Sequence, residues 1–267
     1  MFPDLVDLGF LHLKTYGACM AAGFLLCWRL VERLSGRRDL SDLLISLMVS
    51  GVVGSRAAYV IEHWSSEFAD RPFEVFAVWK GGLMFYGGLL LALAVFVIWC
   101  RRRKENPLDL ADLLATAVPL GHAFGRIGCF FYGCCYGRLS DSAWAVRFPV
   151  LSPAWCEQAS AGLISRSAAH SLPVLPTQLF EAAALLVLFA ALLLHYRRSA
   201  GSSASEGVPR TFNSSFYLMG YALIRFPLEY LRGDPRAAIG WFSISQTISI
   251  GLFAIGAVLL CVRLRRK

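Results

Sequence analysis

Seven stretches of this chain run for about twenty residues with few charges among them, roughly 15–34, 40–62, 82–100, 108–127, 178–196, 214–231 and 243–262. A helix of about twenty residues rises about 30 Å, the thickness of a bilayer's hydrocarbon core. Lipid offers no hydrogen-bond partners, so each stretch must satisfy its backbone internally, which predicts helices. The expected fold is all-α, a polytopic membrane protein of about seven transmembrane helices. With 57% hydrophobic residues among 267, the chain is too apolar for a water-soluble globule. It reads as a single integral membrane domain, 1–267, into which the polar, proline-punctuated segment 138–175 is inserted as a small cap.

Basic residues cluster at alternate turns: Arg29, Arg33, Arg37 and Arg38, then Arg101, Arg102, Arg103 and Lys104, then Arg197, Arg198 and Arg210, and finally Arg263, Arg265, Arg266 and Lys267. The positive-inside rule places those turns in the cytoplasm, which leaves the N-terminus outside, the C-terminus inside and the cap extracytoplasmic. The formal net charge of +8 is then a product of topology, and no nucleic-acid partner is implied. Met1-Phe2-Pro3-Asp4 lacks a basic region of the kind that opens a signal peptide, so the first span is expected to be retained. Residues 1–14 alternate apolar and acidic positions and predict a short amphipathic piece on the outer surface.

The chemistry-bearing residues gather in a few places. The longest is Gly121-His122-Ala123-Phe124-Gly125-Arg126-Ile127-Gly128-Cys129-Phe130-Phe131-Tyr132-Gly133-Cys134-Cys135-Tyr136-Gly137-Arg138. Its glycines allow close approach of backbone or ligand. Arg126, about a turn inside a hydrophobic segment, needs a cavity, a carboxylate or a phosphate. His122 alone reads as a hydrogen-bonded packing residue. In the second span Arg56 follows Gly51 and Gly54 and predicts a structural salt bridge. Gly81-Gly82 and Gly87-Gly88 bracket an aromatic cluster from which Tyr86 presents a hydroxyl. At 100° per residue, Arg225, Glu229 and Arg232 share one helix face, and their charges imply an internal polar cavity. Pro176-Thr177 marks a helix entry, with Gln178 and Glu181 in the first turn. Ser243, Ser245 and Gln246 make a polar start to the last span, suited to capping and to lining the same cavity. The serine-rich stretch 199–210 reads as a linker.

Of the eight cysteines, Cys19, Cys27, Cys100 and Cys261 fall within or at the ends of spans and pack as small hydrophobes. Cys129, Cys134, Cys135 and Cys156 fall near or beyond the outer face, where a disulfide and reduced, packed thiols both remain open. Cys-x4-Cys-Cys without a neighbouring histidine is not a standard zinc spacing, so no metal is expected.

In order and spacing, several segments resemble the bacterial prolipoprotein diacylglyceryl transferase family, in the branch carrying Gly133-Cys134-Cys135-Tyr136-Gly137. They are Gly54-Ser55-Arg56-Ala57-Ala58-Tyr59, Tyr86-Gly87-Gly88, Gly125-Arg126-Ile127-Gly128-Cys129-Phe130, Pro176-Thr177-Gln178-Leu179-Phe180-Glu181, Arg225-Phe226-x-x-Glu229-x-x-Arg232 and Ser243-Ile244-Ser245-Gln246. The resemblance implies a multi-pass enzyme of the bacterial inner membrane. It would transfer the diacylglyceryl group of phosphatidylglycerol to the lipobox cysteine of exported prolipoproteins, making a thioether and releasing glycerol phosphate. Its partners are then phosphatidylglycerol, prolipoprotein substrates and membrane lipids, with no cofactor.

Under that resemblance Arg126 and Arg225 grip the departing phosphate, Glu229 orients them, and Arg232 holds Glu229 or the headgroup. Tyr86 stands where the family commonly has histidine, and takes the thiol proton or hydrogen-bonds the substrate. Gly87, Gly88, Gly125, Cys129, Cys134, Gln178, Glu181 and Gln246 complete the substrate-binding set. Family members commonly have asparagine where Cys129 stands and glutamate where Cys134 stands. Two rivals are a catalytically inactive lipid-binding paralogue and an anion transporter. The second is weakened by the absence of an internal repeat.

Overall fold

The computed structural model describes residues 4–7, 12–201, 211–234 and 238–265 and is mostly helical. Five of its helices are long and apolar enough to cross a membrane: Leu40–Glu62, Phe85–Arg103, Pro107–Tyr132, Thr177–Ala200 and Ile244–Arg265. The other two expected spans are also helices, α1 (Thr15–Ser35) and α7 (Asn213–Leu228), but α7 has only 16 residues. The chain divides into two compact units, one of residues 32–110 and one of residues 1–31 with 111–267. Most of 199–210 lies outside the described residues, as do Pro235 and Arg236.

The smaller unit is built on α2 (Leu40–Glu62) against α3 (Phe85–Arg103). Small residues set their distance: a β carbon on Gly87 would lie 2.4 Å from both the Ala58 β carbon and the Gly54 carbonyl oxygen. Gly88 sits as closely on Ser55 and Gly51. Gly87→Ala therefore forces the helices apart and is expected to cost about 1–3 kcal/mol. Gly51→Ala, whose β carbon would meet nothing within 4 Å, is expected to be neutral or to add up to about 1 kcal/mol through helix propensity. Thermal unfolding of the two variants in detergent checks the contrast.

Arg56 corrects an expectation. Its guanidinium donates to the carbonyl oxygens of Glu74 (2.6 Å), Val75 (2.9 Å), Gly81 (2.8 Å) and Gly82 (3.1 Å), and lies against the rings of Tyr59 and Phe68. No carboxylate is needed, because the short helical turns Pro72–Phe76 and Val78–Lys80 leave carbonyls that match the donor fork. Arg56 thus organises the loop between α2 and α3.

In the larger unit α1 packs on α4 (Pro107–Tyr132) through glycines. A β carbon on Gly23 would be 2.8 Å from Phe124, and one on Gly121 3.1 Å from the Cys27 sulfur. Ahead of α1 the expected amphipathic piece is a hairpin, β1 (Asp4–Asp7) antiparallel to β2 (His12–Lys14). Helix α6 (Thr177–Gly201) packs on α7, and α7 on α8 (Ile244–Arg265). Ala123, Ala182 and Leu185 form the buried core between α4 and α6, with Ile127 and Tyr221 against it.

One end of this bundle is tied by Asp112, whose carboxylate is fully buried. It accepts from the backbone N–H groups of Thr211 (3.1 Å), Phe212 (2.8 Å) and Ser214 (2.9 Å), from the Ser214 hydroxyl (2.6 Å) and from Arg263 (2.9 Å). Beside it the Asn213 amide donates to the Thr116 hydroxyl and the Leu192 carbonyl. Four helices meet there.

Between α4 and α6 the chain makes isolated antiparallel bridges, Leu139 and Val146 to Val174, and Pro149 to His170, with a short helix α5 (Pro153–Ser160) capped by Ser152. Tyr136, Phe148, Ala154 and Val174 give it a core of its own. Gly137 also bridges to Arg232, so this segment is laced to the chain following α7.

Candidate functional site

Helical spacing explains how the site assembles. His122 and Arg126 are four residues apart on α4, as Tyr221 and Arg225 are on α7, so each pair projects from one face. The Arg126 guanidinium lies 2.9 Å from Glu181 of α6, and His122 Nε2 lies 3.8 Å from the same carboxylate. The His122 and Tyr221 rings are 5.0 Å apart. Both guanidiniums, Arg126 and Arg225, are within electrostatic reach of His122 and of the Tyr221 hydroxyl. Arg225 pairs with Glu229 at 2.5 Å and donates to the Ser245 hydroxyl at 3.0 Å. Two arginines a hundred residues apart in sequence therefore flank one histidine–tyrosine pair.

Donors and acceptors remain unspent on several of the expected site residues. Arg126 Nε, Arg225 Nη1, Gln178 Oε1 and Gln246 Nε2 are buried without a hydrogen-bond partner. A buried polar atom left unsatisfied costs about 1–3 kcal/mol, so four such atoms on residues predicted from sequence are donors and acceptors a polar ligand could use. Each guanidinium already has a carboxylate, so the site is charge-compensated and still has N–H groups to give.

Several expected partnerships differ. The carboxylate on Arg126 is Glu181, while Glu229 pairs with Arg225. Glu181 lies beyond the first turn of α6, where it reaches α4. Arg232 does not continue the Arg225–Glu229 face, because α7 ends at Leu228 and a 3-10 turn, Glu229–Leu231, follows. Pro227 withholds one N–H from the last turn and Arg232 is extended, so a rotation of 100° per residue no longer applies. Arg232 is bidentate to Asp234, at 2.8 and 2.7 Å.

Gln246 and Ser243 form a reciprocal capping box at the start of α8: Ser243 N–H donates to Gln246 Oε1 and Gln246 N–H to the Ser243 hydroxyl. That holds the amide in place and leaves its nitrogen buried without a hydrogen-bond partner. Gln178 donates to the Cys134 carbonyl at 2.7 Å and Thr177 to the Cys135 carbonyl at 3.0 Å, fastening the turn after α4 to α6. All eight cysteines are free thiols, and the sulfurs of Cys129, Cys134 and Cys135 lie within 4.8 Å of one another. In the same region the Tyr136 hydroxyl donates to Glu157; burial and that carboxylate hold the phenol above its ordinary pKa, so it stays a donor.

Gly125 approaches the Met20 sulfur, part of the α1–α4 contact. Tyr86, Gly87 and Gly88 belong to the smaller unit. There the glycines serve the α2–α3 contact, and Tyr86 is exposed with its ring edge-on to Phe85. Ser245, expected to line the cavity, receives a hydrogen bond from Arg225, whereas Tyr221 and Asp234 carry no expected role from the sequence and His122 reads there as a packing residue. Spacing of four from Arg126 and Arg225 was the available signal for His122 and Tyr221.

Residues 3–262 match the family model described as prolipoprotein diacylglyceryl transferase. The chain is 31% identical over 272 residues to the phosphatidylglycerol–prolipoprotein diacylglyceryl transferase of Photobacterium profundum, covering 97% of this chain and 91% of that protein. It is 32% identical over 277 residues to the protein of the same name from Geobacter sulfurreducens, covering 99% and 96%. To that of Parasynechococcus marenigrum it is 34% identical over 268 residues, covering 96% and 91%. A match of this length, over the segments that assemble the arginine site, makes the chain a member of the prolipoprotein diacylglyceryl transferase family.

Proposed function

We propose that this protein transfers the diacylglyceryl group of phosphatidylglycerol to the lipobox cysteine thiol of exported prolipoproteins. It does so as a seven-span protein of the bacterial inner membrane, with its N-terminus outside, its C-terminus cytoplasmic and residues 138–175 as an extracytoplasmic cap within a single membrane domain. The observation that carries the reading is the pair Arg126 and Arg225, flanking His122 and Tyr221 with N–H groups still to give.

The acceptor thiol loses its proton to water, and the thiolate attacks the glyceryl carbon that bears the phosphate ester. The carbon–sulfur bond forms, the carbon–oxygen bond breaks, and the electron pair leaves on the oxygen of glycerol phosphate. Negative charge grows on that phosphate in the transition state. Arg126 Nε and Arg225 Nη1 are the donors available to it, in a buried setting where they act more strongly than in water. Glu181 and Glu229 hold the guanidiniums in place, and Gln178 and Gln246 add a neutral acceptor and donor. Arg232, Cys129, Cys134 and Gly125 lie on the same unit and complete the substrate contacts we assign. Tyr86, Gly87 and Gly88 keep their expected roles on the sequence resemblance alone. An apolar cleft lined by Thr15, Ala18, Cys19, Ala22, Phe124, Ile127 and Phe131 beside α4 suits an acyl chain.

Purified protein given phosphatidylglycerol and a lipobox peptide is expected to yield a peptide heavier by one diacylglyceryl group, with glycerol phosphate released in equal amount. A serine in place of the peptide's cysteine abolishes the product. Retention of phosphatidylglycerol with no mass gain on any of several acyl compositions overturns catalysis in favour of a lipid-binding role.

A further inference from the structure

We propose that Cys129, Cys134 and Cys135 form a three-thiolate site for a zinc-class divalent cation whose fourth position is open to an incoming thiol. Although their spacing matches no standard zinc pattern, the fold brings the three sulfurs within 4.8 Å of one another. Sulfurs on one tetrahedral zinc, at about 2.3 Å from it, stand about 3.8 Å apart. Each pair therefore has at most about 1 Å to close on metal binding.

The backbone holds this convergence independently of the sulfurs. Gly133 and Cys135 take left-handed conformations, φ 82° and 62°, that turn the chain back at the end of α4. The N–H groups of Gly133 and Cys134 close onto the Cys129 carbonyl at 2.9 and 3.2 Å. Thr177 and Gln178 then fix the carbonyls of Cys135 and Cys134 from α6. The sulfurs are thus presented by a turn fastened on both sides, and all three are partly accessible.

Charge points the same way. Three thiolates and a divalent cation sum to −1, and a fourth thiolate makes −2. The Arg232 guanidinium faces the Cys135 sulfur, and Arg126 is within electrostatic reach of Cys129 and Cys135. Each of these guanidiniums already pairs with a carboxylate, Arg232 with Asp234 and Arg126 with Glu181, and their positive potential beside the sulfurs favours a metal–thiolate anion over neutral thiols. Among the described residues no fourth histidine, cysteine, aspartate or glutamate joins the group. Three protein ligands with one position left over is the arrangement of zinc sites that bind substrate, whereas structural sites are closed by four.

The occupant of that position follows from the transfer reaction proposed above, on which this part rests. The acceptor is a thiol that must react as thiolate, and a thiol bound to zinc is deprotonated outright. The metal-bound water leaves, the thiol proton passes to bulk water, and the bound sulfur keeps the lone pair it needs for attack.

The full-length protein, reduced and stripped with a chelator in detergent, is titrated with Co(II) as a spectroscopic probe for zinc. One equivalent is expected to bind, with thiolate-to-cobalt charge transfer and the visible bands of tetrahedral cobalt. Cys129→Ser, Cys134→Ser and Cys135→Ser each lose part of the charge-transfer intensity and weaken binding by at least about tenfold. Cys156→Ser leaves both unchanged. A lipobox peptide raises the charge-transfer intensity, and its serine analogue does not. Absence of a thiolate band in fully reduced protein, or a band that survives replacement of all three cysteines, overturns the site. Metal binding that the peptide thiol leaves unperturbed overturns the open position. None of these readouts needs turnover, so a failure of the transfer assay stays distinguishable.

Discussion

Arg225→Ala is expected to lower transfer by about 10²–10³-fold, chiefly in kcat, and Arg126→Ala to do the same. Removing one preorganised donor to a developing oxyanion costs about that much in other enzymes. The charge on the departing phosphate exists mainly in the transition state, so substrate KM should move far less than kcat. Lysine at either position is expected to restore little, since it offers a compact ammonium where the pairing uses a rigid fork. Arg225→Ala also leaves Glu229 as a buried carboxylate without this guanidinium. Truncating one partner of such a pair destabilises by about 3–5 kcal/mol, which by itself would reduce activity. The double variant Arg225→Ala with Glu229→Ala removes that difficulty. It is expected to recover much of the thermal stability and none of the transfer. Activity within about threefold of the parent in either arginine variant, a change of well under 1 kcal/mol, would remove the arginines from the reaction.

How far the sequence reveals this arrangement depends on what each residue interacts with. Helix positions are legible because lipid forces apolar runs of a fixed length to satisfy their own backbones; all seven expected runs fall largely in helices here, five of them long and apolar enough to cross a membrane. Arg126 and Arg225 are legible because an intramembrane charge needs a reason. Their partners are less so. Glu181 pairs across helices, a relation with no local spacing, and Arg56 is satisfied by backbone carbonyls, which carry no sequence signature at all. The error at Arg232 has a definite source in Pro227, whose effect on the last turn shortens α7 before the third charge is reached. The thiol cluster depends on a left-handed Cys135, a conformation seldom inferred for a non-glycine residue.

Asp112 illustrates the same limit and leads to the second large effect. An acid near the start of α4, three residues after Asp109, looks like an ordinary first-half helix residue, since its partners lie 99 to 151 positions away. Asp112→Ala is expected to destabilise the protein by about 3–5 kcal/mol, because it leaves the Arg263 guanidinium buried without this carboxylate and removes the acceptor for three backbone N–H groups at the start of α7. Arg263→Ala should cost less, about 1–3 kcal/mol, since the Asp112 carboxylate keeps those N–H groups and the Ser214 hydroxyl. Equal losses from the two variants in thermal or denaturant unfolding would contradict the capping role and leave only an ion pair. The consequence reaches the site. Arg225 stands about 18 Å along α7 from this anchor, and a helix freed at its start can shift against α6 and α8. Asp112→Asn, which keeps an acceptor oxygen but loses the charge, is therefore expected to fold with intermediate stability and to lower kcat without touching substrate.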